Sequence, residues 1–142
     1  MILLSAVLSL MMPIAAAEKP VLVVAAPDSP VRLDRAVVLT TSEAPPVVLY
    51  AATNVTENEL EQFTVIAFVF DADGTLKARQ TAPGRRTLEA HATKYSTLVL
   101  DGSEIAPTYI IVIGVNQAQR AGSETWWRGD LQGAAAVAAR KK

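Results

Sequence analysis

Hydrophobic positions along this chain fall into short runs separated by polar or proline-rich breaks, and several runs alternate with a period of two. Residues 20–26 (PVLVVAA) predict a first strand, placed at a sheet edge by its bounding prolines, and residues 31–33 extend it after a Pro-Asp-Ser-Pro break. Residues 36–41 (AVVLTT) and 47–52 (VVLYAA) predict the second and third strands, with Pro45-Pro46 between them. The polar, acidic stretch 53–61 reads as a loop. Residues 63–70 (FTVIAFVF) carry the strongest signal: Phe63, Val65, Ala67 and Val69 share one face, and Ile66, Phe68 and Phe70 share the other. An apolar run on both faces predicts a central strand covered on both sides. Residues 75–81 suit a half-exposed partner strand, 93–100 and 108–116 two further strands, and 125–127 a short last one. Residues 82–86 read as a turn, 117–123 as a loop, and 87–92 as either a helical turn or a loop.

About seven strands at this spacing, with no helical period between them, predict an antiparallel β-sandwich. The alanine-rich tail 131–142 is the one helical candidate, with Asp130 as its cap and its terminal cations suited to the helix dipole. The expected organisation is a leader over 1–17, a sandwich over 18–130 and the tail.

The leader reading rests on an uncharged apolar run from Ile2 to Met12, a break at Pro13 and small residues at Ala15-Ala16-Ala17. The run is too short to span a bilayer as a helix. Export to the periplasm or the medium is expected, with membrane contact only in transit. The chain has no cysteine, so the fold must rest on its core rather than on disulfides. A formal net charge of −1 with scattered basic residues gives no electrostatic footprint for nucleic acid.

Candidate chemistry concentrates at Asp71-Ala72-Asp73-Gly74-Thr75. The stretch VFDADGTL resembles motif one of the haloacid dehalogenase superfamily. That resemblance implies a magnesium-dependent phosphohydrolase with Asp71 as nucleophile and Asp73 as acid/base. It also implies a parallel sheet with helical crossovers, whereas residues 75–81 read as strand at once and Pro83-Gly84 stops any helix. In place of the later motifs, Lys94 comes too early, Ser103 stands for the hydroxyl, and Ala134 stands where a second acid is needed. The alternative is a hairpin turn in which an Asp side chain bonds to the backbone ahead and Gly74 takes positive φ. A calcium loop would need further acids between Leu76 and Arg79, and none is there.

With one histidine, His91, and no cysteine, the inventory implies no soft-metal or redox cofactor. Arg128-Gly129-Asp130 spells an adhesion tripeptide and Asn54-Val55-Thr56 an N-glycosylation sequon. Trp126 and Trp127 are adjacent in a strand, so one indole should enter the core and the other face outward. The tail is expected to cover the outward indole; left bare, it would anchor a partner or a glycan.

The order of features, carried by Asn54, residues 63–70, the 71–74 turn, Leu76, Leu88, residues 93–100 and residues 109–115, resembles the immunoglobulin-like or fibronectin-like β-sandwich modules of bacterial secreted and envelope proteins. Ala90-His91-Ala92 stands where such modules often have Pro-Gly or Gly-Glu. Such modules have no common catalytic residues to carry over and their fold does not fix a function; the expectation for this chain is a non-catalytic exported module that binds a protein or an envelope component. Trp126 and Trp127 are its candidate partner-binding residues, beside a sheet edge and the acidic loop 57–61.

Overall fold

Nine strands and one helix form within residues 17–82, 87–102 and 104–141, the part of the chain that the computed structural model describes. The leader (except Ala17), the turn expected at 83–86, Ser103 and Lys142 lie outside the described residues. In chain order the strands are β1 (Ala17–Pro20), β2 (Leu22–Val24), β3 (Val31–Thr40), β4 (Val47–Asn54), β5 (Leu60–Phe70), β6 (Leu76–Thr81), β7 (Thr93–Val99), β8 (Ile110–Arg120) and β9 (Thr125–Trp127). The helix α1 (Leu131–Arg140) follows. Among the described residues no helix is long and apolar enough to cross a membrane.

The strands form two sheets. One has the order β1-β3-β4-β7; the other has the order β2-β8-β5-β6, with β9 also paired to β8. All pairings are antiparallel except β2 with β8. Alternate residues of the two inner faces fill the space between the sheets. Val38, Val48, Tyr50, Ala52 and Leu98 from one meet Val65, Ala67, Val69, Ile111 and Ile113 from the other, each at most 2% exposed. This is the period-two packing expected of a sandwich.

Several expected boundaries shift, each for a local reason. The first strand is split at Val21. Pro20 has no N–H to continue a ladder, and Val21 buries its side chain while donating its N–H to the Ala36 carbonyl. The chain thereby passes from one sheet to the other. Residues 31–33 and 36–41 belong not to two strands but to one, β3, kinked where Arg35 and Ala36 oppose the single residue Tyr50, with Arg35 at φ 50°. The loop expected at 53–61 shrinks to 55–59, because Asn54 and Leu60 are drawn into strands by bonds to the 88–92 segment. The split turns the eight segments of the alternation pattern into nine strands, two more than the expected sandwich of about seven.

The residues expected as a loop at 117–123 instead continue β8 to Arg120. There Ala118 faces inward, while Gln117 and Gln119 pair outward across β5. The 87–92 segment is a loop, pinned by a bridge between Leu88 and Leu60.

A second, smaller core lies outside the sandwich. Ile66, Phe68, Phe70 and Val112 form an apolar patch on the outer face of the five-stranded sheet, and Leu131, Ala135 and Ala139 of α1 cover it. Those three recur every four residues, so one stripe of the helix meets the sheet. Alanine lets the backbone come close. Gly114 makes room for Leu131: a Cβ there would fall 2.5 Å from the leucine Cδ1. Asp130 precedes the helix but makes no side-chain cap bond, because its carboxylate accepts from Arg128 instead.

Candidate binding surfaces

Both sequence-predicted site residues lie on β9, and the strand's alternation separates them. Trp126 turns inward and packs half-buried against the main core, its Nε1–H donating to Asp28 Oδ2 at 3.1 Å. Trp127 turns outward and is 65% exposed. The tail does not cover it, contrary to expectation. Phe68 and Phe70 present the larger apolar area, and α1 settles over them instead. Two open clefts flank the pair. One of about 460 Å³ is bounded by Asp28, Pro30, Glu124 and Trp126. The other, about 320 Å³, lies among Pro27, Trp127, Arg128 and Asp130.

Trp127 does not stand alone on its face. Register places Thr64, Gln117 and Trp127 in one row across β5, β8 and β9, and Gln62, Gln119 and Thr125 in the next. Within these rows Thr64 donates to Gln117 Oε1 at 2.9 Å, and Gln62 Nε2 donates to Gln119 Oε1 at 2.9 Å. Past Gln62 and Gln119 the rows run into a cleft of about 410 Å³ edged by Glu61 and Thr87. The glutamine and threonine positions are absent from the sequence-based candidates. Their signal was present in the alternation of Gln62-Phe63-Thr64-Val65, at the start of the expected strand 63–70, and of Gln117-Ala118-Gln119, read there as loop.

The four-stranded sheet leaves a different surface. Its outer face carries Val37 and Leu39 from β3, Val47 and Leu49 from β4, and Tyr95 and Val99 from β7. The four β3 and β4 residues are half-buried, Val99 is 42% exposed and Tyr95 70%. Among the described residues no helix or strand lies over them. Strand β7 is also the sheet edge. Arg35, projected by its bulge, donates to the Tyr95 hydroxyl at 2.6 Å and fixes that ring at one end of the face.

The remaining motifs are engaged in structure. Asp71 Oδ1 accepts the backbone N–H of Asp73 and of Thr75, both at 2.9 Å, and Gly74 sits at φ 83°. β5 and β6 run antiparallel from this turn, with Lys77 bulged between the Val69 and Phe70 pairings. The hairpin expectation holds, and the parallel crossover implied by the phosphatase motif is not the path taken. Among the described residues no three His, Asp or Glu side chains are grouped as metal ligands.

In the adhesion tripeptide, Arg128 is tied to Asp130 at 3.2 Å and to the Ala25 carbonyl at 3.3 Å. The sequon's Asn54 is fully buried. Its Nδ2 donates to the carbonyls of Asn58 and Leu88, and its Oδ1 accepts from Thr56 N and Oγ1. In the acidic loop, Glu57 meets His91 Nε2 at 2.8 Å on an exposed surface. The chain matches no family model, no curated protein and no solved structure.

Proposed function

We propose that this chain is an exported, non-catalytic β-sandwich module that binds a protein or another envelope component through surfaces its own fold leaves uncovered. The observation that carries the reading is where apolar and aromatic groups remain exposed. Trp127, Tyr95 and Val99 stand on regular strands whose backbones are held on a packed core. Rigid elements of this kind present a side chain to a partner at little ordering cost. The leader pattern supports export, and a cysteine-free core suits either side of a membrane.

Strand order supports the immunoglobulin-like or fibronectin-like reading. Taking β3, β4, β5, β6, β7, β8 and β9 as successive strands A, B, C, C′, E, F and G gives sheets ABE and C′CFG. β1 and β2 then precede that unit, one added to each sheet. Such an architecture hosts many functions, so the surfaces and not the fold argue for binding.

The test is capture from the native envelope fraction with the purified chain, followed by mass spectrometry, alongside a phosphatase assay of wild type and Asp71→Asn. A component held specifically, with no turnover, is the expected result. Turnover abolished by Asp71→Asn, with nothing captured, would overturn the reading.

A further inference from the structure

Building on the reading of this chain as a binding module, we infer that the strip formed by Gln62, Thr64, Gln117, Gln119, Thr125 and Trp127 is a site for a neutral oligosaccharide. The strip has a defined edge. Leu131 seats on Gly114, one row from Thr64 and Gln117, so the helix starts where the strip ends. Three adjacent strands give it a width of roughly 10 Å, and the two rows lie roughly 7 Å apart. All six side chains project from paired strands, not from a loop, with β5–β8 register shifts just before Gln62 and just after Thr64.

Its chemistry is specific. None of the six side chains is ionisable; the charged groups lie at the margins, Glu61 in the cleft beside Gln62 and Gln119, and Arg128 paired with Asp130 in the cleft beside Trp127. The two cross-strand bonds hold the amides in fixed planes and leave part of their capacity unused. Gln117 and Gln119 each keep an Nε2 donor, and Gln62 Oε1 and Thr64 Oγ1 keep acceptor positions. Donors and acceptors thus alternate beside an open indole.

A pyranose ring matches both halves. Its C–H face is apolar and lies flat on an aromatic ring, while its rim of hydroxyls both donates and accepts. A protein is the competing occupant, since hot-spot aromatics of protein interfaces also sit within a polar rim, and capture beside the sugar titration separates the two. Trp127 has Gln117 across from it in its row and Thr125 two residues before it, and Pro27, Arg128 and Asp130 line the cleft it borders.

The chain's two tryptophans make the test direct. Cellohexaose, chitohexaose and maltohexaose are titrated into the protein while tryptophan emission is followed, with a polygalacturonate fragment as the charged control. At least one neutral hexasaccharide is expected to change the emission saturably. Trp126→Phe should retain that change, since Trp127 is the exposed reporter. Trp127→Ala, read by calorimetry, should weaken binding by about tenfold or more, and Gln117→Ala by about three- to tenfold. Both variants should melt with wild type.

No saturable change with any neutral probe, or equal affinity in Trp127→Ala, would overturn the inference. A protein component captured equally by wild type and Trp127→Ala, with no sugar bound, would overturn it too and leave the binding-module reading standing. Neither sugar nor captured component would remove both.

Discussion

The two sheets of this sandwich have outer faces with contrasting fates. On the five-stranded sheet, Ile66, Phe68, Phe70 and Val112 are all at most 2% exposed, because α1 lies on them. On the four-stranded sheet, Val37, Leu39, Val47 and Leu49 are only half-buried, and Val99 and Tyr95 stand open. The first face carries two phenylalanines, whose rings lie 6.5 Å apart. Their exposure would cost enough that the chain supplies its own lid. The second is built of smaller aliphatic groups interspersed with Thr53, Thr93 and Thr97, a mixture that water tolerates. One apolar face has become interior, and the other has stayed available.

The comparison breaks most sharply if the lid is removed. A chain ending at Gly129 should aggregate or lose cooperativity, since Phe68 and Phe70 would face water. Size-exclusion chromatography and thermal melting would show it. Phe68→Ala, which keeps the lid but empties the space beneath it, should cost about 3–5 kcal/mol in chemical denaturation.

Asn54→Ala should follow in size, at roughly 2–3 kcal/mol. It removes the buried amide that ties β4 to the Asn58 and Leu88 carbonyls and that accepts from Thr56 N and Oγ1, although each carbonyl keeps one other donor, Thr56 Oγ1 and Leu60 N respectively. Gly114→Ala should cost about 1–3 kcal/mol by displacing Leu131, and a double-mutant cycle with Leu131→Ala should show coupling between the two sites. On the open face, Tyr95→Ala with Val99→Thr should change folding stability by about 0.5 kcal/mol or less, because little is buried there. Asp130→Ala should likewise cost less than the ~1 kcal/mol of a bonded cap, since no cap bond exists to lose.

Much of the fold was legible because period-two alternation reports which face of a strand is buried. Residues 63–70, with both faces apolar, announced a central strand with a cover, and the turn at Asp71–Gly74 announced the hairpin. Three things were hidden. Val21 gives no local sign that the chain changes sheets there, since that depends on where β3 and β8 lie. Gln117 and Gln119 looked like loop because polar residues on a solvated strand face resemble those of a turn. The target of the tail depended on which of two exposed patches was larger, a tertiary competition that composition does not rank. Trp126 and Trp127 were found from adjacency alone, but the amides and hydroxyls around Trp127 come from β5 and β8 and meet it only through register.

The central claim is that uncovered surface on a self-sufficient core does this protein's work. Three baits test it most directly against the native envelope fraction: wild type, Trp127→Ala, and Tyr95→Ala with Val99→Thr. The account predicts that all three melt alike and that at least one variant loses a component the wild type retains. Identical retention by all three baits, together with substrate turnover by the wild type, would contradict it.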